Sequence, residues 1–527
     1  EEDNQTLEED NQTLEEDNQK LEADNQKLSA KVDSLTQALD KLQRMQFGRS
    51  SEKTKYLSEE ELGQLTFFNE AEAVTEGKEA EPAATLTVKA HKRKPKRTKE
   101  ELMKDLPVKE VICELPDTEK SCDICNGHLR PLGKEVVRRE LEVIPKQVRV
   151  LEYTRHNYVC EACEKETGDA HIVKAPVPEP VIKHSMASPS AVADVMYQKY
   201  VNAMPLYRQE KDWFNHGVKL SRATLSNWVL KPAKELLEPL YREMKQALLQ
   251  SGVICADETV VQVLKEPGKK AQSESRMWVY CNGDSSLPPV ALFEYQSGRS
   301  GRHPRSFLKG YAGYLLTDGY AGYNSVENVI HCGCWAHMRR KFEEMASKTI
   351  EGTNAAEGLG YCNELFRIER ELSELPAKQR HEERQKQSKP VLDAYFAWIE
   401  SIHPLEQSGL GKAITYAKNQ RKQLSAFLLD GRIEISNNRT ENTIRPFVIG
   451  RKNWIFSDTV RGAEGSAVIY SIVLTALANN LNIFEYLSYL FTQLPKALRS
   501  NPKQSITEYL PWSKTLPEQC RATNDEN

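Results

Sequence analysis

The most regular pattern in the chain lies in its first 47 residues, where Leu recurs at every seventh position. The units EEDNQTL, EEDNQTL, EEDNQKL and EADNQKL follow without a gap, and the spacing continues to Leu35 and Leu42. A Leu in every heptad is typical of a coiled-coil seam, and Asn at the other seam position of the first four heptads favours a parallel pair of helices. We therefore expect residues 1–47 to form a coiled coil that makes a homodimer or a larger assembly. The acidic flanking positions leave two alternatives, a basic partner and a solvated helix.

Residues 48–105 lack sustained apolar periodicity, which predicts a flexible basic linker. The segment is rich in Ala and Glu as far as residue 90. It ends in a run from Lys92 to Lys99 that contains six Lys or Arg side chains. Such a run could contact phosphates or could be a solvated tether.

The hydrophobic pattern turns helical between residues 188 and 228. Three helices are predicted, Pro189 to Tyr200, Pro205 to Asn215 and Ser221 to Trp228, and Ser221 can cap the third. This spacing suits a helix-turn-helix over residues 181–245. On that interpretation the third helix presents polar side chains to DNA, namely Arg222, Thr224, Ser226 and Asn227. A three-helix bundle without a DNA role fits the same pattern.

Beyond residue 250 the pattern becomes that of β-strands. Val253 to Ala256 is a short apolar strand that ends at Asp257, and Tyr314 to Thr317 ends at Asp318. Further strands are expected at Met277 to Cys281 and Val290 to Tyr295. We therefore expect an α/β region in which two acidic side chains stand at strand ends.

A third carboxylate, Glu441, follows a long helical stretch. Brought together with Asp257 and Asp318, it could hold two divalent metal ions for phosphoryl transfer. Each of the three also has an ordinary structural interpretation. Asp318-Gly319 is a common turn dipeptide, Asp257 could cap a helix, and Glu441 follows Asn438 by three residues as in a capping box. The spacing alone leaves both interpretations open.

Two cysteine pairs give the most specific chemical pattern. They are Cys122 with Cys125 and Cys160 with Cys163, and each pair places two thiolates on one tight turn. Four thiolates complete a tetrahedral zinc shell with no open position, so we expect a structural zinc ribbon over residues 106–180. A strand-like stretch from Gln147 to Tyr153 fits such a ribbon.

A second group of side chains could also bind zinc: His331, Cys332, Cys334 and His337. We interpret the segment that holds them as a buried strand that runs into a basic helix.

Composition and charge narrow the class of protein. Of the 527 residues, 39% are hydrophobic and 28% charged, which is typical of a globular chain with polar additions. The apolar stretch from Ala467 to Ala478 is expected to be a buried helix. The net charge is -4, but residues 1–30 alone hold eleven acidic residues against two lysines, so the rest of the chain is net positive. Eleven Cys without a disulfide pattern favour a reducing compartment, and we expect a cytoplasmic, nucleoid-associated protein.

Several motifs, taken in order from about residue 40 to about residue 490, resemble transposases of the insertion-sequence-66 family. The motifs are Phe47-Gly48-Arg49-Ser50-Ser51-Glu52-Lys53, the two cysteine pairs, Asp257-Glu258-Thr259, Thr317-Asp318-Gly319-Tyr320 with Tyr323, Cys334-Trp335-Ala336-His337, and Asn437-Asn438 through Glu441 to Arg451-Lys452-Asn453-Trp454.

The resemblance implies an RNase H-like core in which Asp257, Asp318 and Glu441 form a DDE triad that binds two Mg²⁺ or Mn²⁺ ions. It places the core at residues 246–342 and 431–492, a helical insertion at 343–430 and a C-terminal tail at 493–527. It also implies small accessory proteins encoded beside the transposase.

The predicted function is that of a bacterial DNA transposase that binds the ends of its element, cuts at those ends and joins them to target DNA. Cations and a ring that follow the third carboxylate are expected to hold the DNA end: Arg445, Arg451, Lys452 and Trp454. Two alternatives remain, a catalytically inactive DNA-binding regulator and an RNase H-like nuclease without strand transfer.

Overall fold

The structure is a computed structural model that describes residues 108–110, 146–160, 171–346, 353–500 and 505–522, with isolated positions between 112 and 139. The predicted coiled coil, the predicted linker, and Cys122, Cys125 and Cys163 lie outside the described residues.

A small antiparallel ribbon comes first. Strand β1 (Asn157–Val159) pairs with β2 (Ile172–Lys174), and Asn157 lies opposite Lys174. The strand predicted from Gln147 to Tyr153 is wrong, because this stretch has no ladder partner among the described residues and is largely exposed. Alternating side chains predict a strand only where one face is buried.

Three helices follow at the predicted places, α1 (Pro189–Tyr200), α2 (Leu206–Asn215) and α3 (Arg222–Pro232). Ser221 caps α3, since its hydroxyl accepts the Thr224 N–H at 3.2 Å. Helix α3 continues four residues beyond the predicted end and passes into a π-helical turn (Ala233–Leu237) and then α4 (Glu238–Leu248). Pro232 lacks an N–H and its ring crowds the preceding turn, which explains the wider turn that follows.

The main sheet is mixed, and its strand order is β5-β4-β3-β6-β7. Antiparallel strands form one half: β3 (Val253–Lys265), β4 (Glu274–Asn282) and β5 (Ala291–Gln296). Parallel pairing joins β3 to β6 (Tyr314–Thr317) and β6 to β7 (Ile330–Gly333). A short helix, α5 (Arg302–Phe307), precedes β6, and a 3₁₀ turn (Ala321–Ser325) follows it.

Strand β3 does not end at Asp257, as the sequence predicts, but runs on to Lys265. Its second half keeps buried residues, Val261 and Val263, and pairs with β4 and with β8 (Ser457–Thr459). These long-range partners extend the strand beyond the short apolar run that marks its beginning.

Helices cover the sheet and bracket an insertion. Helix α6 (Trp335–Ala346) follows β7, and α12 (Asn438–Trp454) returns the chain to β8. Between them lie α7 (Asn354–Glu371), α8 (Ala377–Lys386), α9 (Ser388–Ser401), α10 (Gly409–Asn419), α11 (Arg421–Ser425) and a 3₁₀ turn (Ala426–Leu428). Their core is aromatic and includes Trp335, Phe342, Tyr395 and Trp398.

Two long helices complete the described fold, α13 (Val460–Ala478) and α14 (Ile483–Ser500), followed by 3₁₀ turns at Thr507–Tyr509 and Glu518–Cys520. Helix α13 is long and apolar enough to cross a membrane, but most of its apolar stretch is buried against the sheet. Ser471 and Thr475 accept hydrogen bonds from the Phe293 and Ala291 backbone N–H groups of β5, at 2.8 and 3.0 Å. The expectation of a buried helix here is confirmed.

Candidate functional site

Asp257 and Asp318 lie side by side on neighbouring parallel strands. Cys255 of β3 is in register with Leu316 of β6, so two further residues along each strand bring the aspartates to the same level and the same face. Strands in a sheet are about 4.8 Å apart, which sets the approximate separation of the two backbones. Both side chains are half-buried. The sheet therefore brings together two carboxylates that are 61 residues apart in sequence.

Local backbone contacts orient the two aspartates. One Asp318 carboxylate oxygen accepts the Tyr320 N–H at 2.9 Å, which forms a tight turn through Gly319 at φ +89°. One Asp257 oxygen accepts the Glu258 N–H at 2.8 Å. The turn interpretation of Asp318-Gly319 and a position beside a second carboxylate are thus compatible.

Glu441 reaches this region from the first turn of α12. The buried Asn437 precedes the helix, and its amide donates to the Ala256 carbonyl at 3.0 Å, next to Asp257. The Asn437 backbone N–H donates to the Cys334 sulfur at 3.2 Å, and Thr440 donates to the Asn437 side-chain oxygen at 2.9 Å. Asn437 therefore ties the start of α12 to β3 and to the loop before α6. Sequence reasoning included Asn437 in a motif but assigned it no role.

The capping-box interpretation of Glu441 does not fit the helix start. Helix α12 begins at Asn438 with Asn437 as its N-cap, so the capping-box position is Thr440. The Glu441 Oε1 atom is instead buried without a hydrogen-bond partner.

Electrostatics link the three carboxylates. The pKa of Asp257 is held well above its ordinary value, first by burial, then by the negative charges of Asp318 and Glu258, with a further contribution from Glu441. Mutual repulsion of this kind is relieved when a divalent cation binds, and carboxylate oxygens are the ligands that Mg²⁺ prefers. Within the described residues, however, no three His, Cys, Asp or Glu side chains converge on one point that could hold an ion. The carboxylates are neighbours, but they do not form a closed ligand shell.

Two side chains of α6 face Glu441. His337 Nδ1 is 4.0 Å from Glu441 Oε1, and an Arg340 Nη atom is 3.8 Å from Glu441 Oε2. His337 Nδ1 is also buried without a hydrogen bond. Burial lowers the pKa of His337, while the charges of Asp318 and Glu441 act in the opposite direction. Sequence reasoning included His337 in a motif and considered it as a possible zinc ligand, but it missed the place of His337 beside the carboxylates.

The structure brings no second zinc site together. Among the residues that the structure describes, His331, Cys332, Cys334 and His337 do not converge into a group that could hold a metal ion. The Cys334 sulfur accepts the hydrogen bond from Asn437 described above. The predicted buried strand that runs into a basic helix is present as β7 and α6.

A buried network stands on the far side of Asp257 and was also missed. Glu258 accepts a hydrogen bond from Arg299 Nε at 2.5 Å and another from the Tyr323 hydroxyl at 2.8 Å. Arg299 Nη2 lies 3.9 Å from Asp318 Oδ2, and its guanidinium is stacked 4.0 Å from the Tyr320 ring centre. Tyr320 and Tyr323 belong to the quoted motifs, but nothing near Arg299 in the sequence indicates its role.

The predicted DNA contacts fall in two groups. On α3, Arg222 and Asn227 are exposed and Thr224 is half-buried, and Arg222 pairs with Glu210 at 3.2 Å. On α12, Arg445 and Lys452 are exposed.

The other two predicted contacts on α12 are partly engaged within the protein. Arg451 donates to the Val260 carbonyl, and Trp454 packs edge-on against Phe447 with ring centres 5.4 Å apart. Of the four predicted zinc ligands, only Cys160 is described. It follows β1, is half-buried, and its N–H donates to the His171 carbonyl at 3.0 Å.

Comparison with known families defines the class of protein. The family model described as "Transposase IS66 family" matches residues 184–465, which is more than half of the chain, so the chain belongs to the IS66 family of transposases. A model described as "zinc-finger binding domain of transposase IS66" matches residues 119–164, which include all four cysteines of the predicted ribbon. A third, described as "Transposase C of IS166 homeodomain", matches residues 34–111. The family resemblance drawn from the sequence motifs is confirmed.

The chain is also similar to proteins of Sinorhizobium fredii (strain NBRC 101917 / NGR234). It is 28% identical to "Uncharacterized protein y4hP" over 500 residues, which cover 90% of this chain and 87% of the relative. It is 30% identical to "Uncharacterized protein y4jD" over 429 residues, which cover 78% of this chain and 81% of the relative.

Proposed function

We propose that this transposase cuts and joins DNA by a DDE mechanism in which Asp257, Asp318 and Glu441 bind two Mg²⁺ or Mn²⁺ ions. The observation that carries the proposal is the juxtaposition of Asp257 and Asp318 in one register, with the Glu441 helix tied to Ala256 through Asn437. The buried, unpartnered Glu441 oxygen and the raised pKa of Asp257 support it, because both are relieved by a cation. We further infer that the sheet is an RNase H-like core, since β3 has two antiparallel strands on one side, β4 and β5, and two parallel strands on the other, β6 and β7, in one continuous order.

The donor set fits the proposed ions. Divalent ions held in pairs activate an attacking oxygen and stabilise the leaving oxygen of a phosphodiester. The protein's own contribution is to fix the carboxylates. β3 and β6 hold the aspartates at one level, the Tyr320 N–H orients Asp318, and Asn437 sets the distance of α12 from β3. His337 and Arg340 stand opposite Glu441, where they limit its movement away from the aspartates.

DNA recognition is assigned to elements before the core. Helices α1 to α3 are proposed as a helix-turn-helix that presents Arg222, Thr224 and Asn227, and the four cysteines as a structural zinc ribbon that positions it. The exposed Arg445 and Lys452 are proposed to contact the DNA end next to the carboxylates. Dimerisation through residues 1–47 and a need for accessory proteins belong to the same proposal.

The test is a cleavage and strand-transfer assay on labelled DNA that carries the ends of the element, with Mg²⁺ or Mn²⁺. Glu441→Gln removes the third carboxylate charge and is expected to abolish metal-dependent joints, a loss of at least about a thousandfold. Glu464→Gln, an exposed position on α13, is the matched control and should retain activity. Cleavage without joints would favour the nuclease alternative. End binding without cleavage in any of the proteins would favour the regulator or a missing accessory protein.

A further inference from the structure

The face of α12 that begins with Glu441 continues as an exposed stripe towards the end of the helix. Positions 441, 445, 449 and 452 are three or four residues apart and share one face of α12, and Phe456 follows two residues beyond the helix end at Trp454. The stripe alternates in character: Arg445 and Lys452 are cationic, whereas Ile449 and Phe456 are apolar and each 41% exposed. With Ile455, which is 44% exposed, two large apolar side chains stand next to each other at its far end.

The backbone holds these two apolar side chains outward in an unfavourable conformation. Ile455 has φ +65° and ψ -54°, and a positive φ at a β-branched residue is a genuine outlier. The Phe456 N–H donates to the Trp454 carbonyl at 2.8 Å, which closes a three-residue turn. β8 begins one residue later and pairs with β3, so the turn is fixed on both sides. Trp454, by contrast, packs inward on Phe447.

Exposed cations lie close to the turn in sequence. Arg461 and Lys452 are exposed, and the nearest acidic side chain in sequence, Asp458, is paired with Lys265 at 2.8 Å. Apolar side chains flanked by cations match DNA, where cations contact phosphates and apolar wedges insert between bases. A second protein chain would have to bring acidic groups to the same surface.

We propose that Ile455 and Phe456 form an apolar wedge that contacts the bases of DNA, alongside Arg445 and Lys452 on the phosphates. This rests on the proposed function. At 1.5 Å per residue, the end of α12 at Trp454, where the wedge begins, is roughly 20 Å along the helix from Glu441. A helix of that length laid along DNA, at 3.4 Å per base pair, would span about six base pairs from the phosphodiester that is cut.

The test measures DNA binding by the full chain in buffer without added Mg²⁺ or Mn²⁺, so that no cleavage intervenes and the proposed zinc ribbon keeps its ion. The probes are two fluorescein-labelled duplexes of equal length, one with the element's terminal sequence and one unrelated. Phe456→Ala is expected to weaken binding about tenfold, because a stacking or wedge contact is lost. The salt dependence of DNA binding by Phe456→Ala should equal that of the wild type. Lys452→Ala, in contrast, should reduce the slope of log affinity against log salt by about 0.9. Leu405→Ala, 83% exposed in the helical insertion, is the control and should bind as the wild type does.

A second variant separates binding from folding. Ile455→Gly removes the wedge side chain, and glycine adopts a positive φ without strain, so thermal stability should be retained or raised while affinity falls. 2-Aminopurine placed six base pairs from the end should brighten with the wild type and not with Phe456→Ala. Wild-type affinity in both variants would overturn the wedge. If light scattering also showed a loss of oligomer mass in these variants, the surface would be assigned to a second copy of the chain. A wild-type chain that binds neither duplex would overturn the wedge and the proposed function together.

Discussion

Glu258 stands next to a proposed metal ligand, but it belongs to the opposite face of β3. Successive residues of a strand point to opposite faces, so Glu258 and Asp257 cannot share one ion. The Glu258 side chain is fully buried, and both its oxygens accept hydrogen bonds, from Arg299 and from Tyr323. Glu258 therefore acts as an anchor for Arg299, whose other end lies 3.9 Å from Asp318. We infer that Arg299 is a positioning residue for Asp318.

This role predicts how metal binding responds to substitution. Arg299→Gln and Glu258→Gln are each expected to weaken Mn²⁺ binding about tenfold, as is usual when a partner of a ligand is lost. The double variant should be no weaker than either single variant, because the two residues act as one unit. Isothermal titration calorimetry measures the affinity.

The positive charge of Arg299 alone predicts the opposite change in Mn²⁺ affinity. If Arg299 acted only as a nearby positive charge, its removal would strengthen cation binding. Tighter Mn²⁺ binding by Arg299→Gln would therefore contradict a positioning role. Arg432→Gln is a matched control, since Arg432 pairs with Asp284 at 3.2 Å near the first residues of β3, and it should leave Mn²⁺ affinity unchanged.

At the scale of single residues, the sequence predicts which side chains lie at the site better than it predicts which residues they contact. Asp318 was expected at a strand end and lies directly after β6. The contacts that orient the site join residues far apart in sequence, such as Asn437 with Ala256 and Arg299 with Glu258. No local periodicity encodes such pairs, because they exist only once the sheet has formed. The family motifs include Asn437 and His337, but they do not indicate which residues these two side chains contact.

Among the helices of the insertion, one buried arginine connects several elements. Arg384 of α8 is fully buried and donates to both carboxylate oxygens of Glu369 on α7, at 2.8 and 2.6 Å. It also donates to the backbone carbonyls of Phe427, Asp430 and Ile433, at 2.8, 2.9 and 2.8 Å. These carbonyls lie in the segment that leads to α12, so Arg384 links the insertion to the helix that carries Glu441.

Arg384→Met is expected to destabilise the protein by about 3–5 kcal/mol, because it leaves Glu369 and three carbonyls without their donor in the interior. Arg384→Lys should recover only part of the loss, since an ammonium cannot reproduce the planar fork of a guanidinium. Urea unfolding followed by circular dichroism measures both. Arg367→Met is the control, an exposed arginine of α7 with Glu364 and Glu371 as partners, and its unfolding midpoint should match the wild type. An equal effect of the two methionine variants would contradict the assigned role.

The sequence predicts helices and strands correctly where the pattern that forms them is local. It fails where a strand distant in sequence determines the length of the element. The three helices from residue 189 onward have periodic apolar positions, and α1 and α3 also begin at a serine side-chain cap; all three are present within a few residues of the predicted bounds. The length of β3 depends on β4 and β8, which are distant in sequence or too short to recognise. The sequence predicts a long helical stretch before Glu441 and the family resemblance places it at residues 343–430, but the individual helices there were not predicted.

At the scale of the whole molecule, β3 is the strand on which the described fold converges. Its first residues pair with β6, its last residues pair with β8, and β4 lies along most of its length. The candidate site therefore forms only when segments from residue 253 to residue 459 are assembled. Any group that changes the stability of this assembly also changes the population of a complete site.

Glu294 is such a group, since it lies on β5 with one carboxylate oxygen buried and unpartnered. Burial raises its pKa to about 7, although Lys245 and Gln296 act to lower it. Tyr241 and Tyr280 face the same carboxylate, and its charge contributes to their raised pKa values. A carboxyl with a raised pKa in the folded state prefers to be protonated there, so folding takes up a proton.

The stability of the folded chain should therefore depend on pH in a defined window. The contribution of Glu294 is fully present below its unfolded pKa of 4.5 and is lost as the pH rises towards about 7. Glu294→Gln removes this ionisation, so the variant should match the wild type near pH 4.5 and exceed it at pH 8 by at most about 3 kcal/mol. Urea midpoints of both proteins at pH 5, 7 and 8, without added metal, measure the difference. Asp257 also has a raised pKa but is common to both proteins, so it cancels in the comparison. A difference that stays constant between pH 5 and pH 8 would show that Glu294 does not titrate in this window.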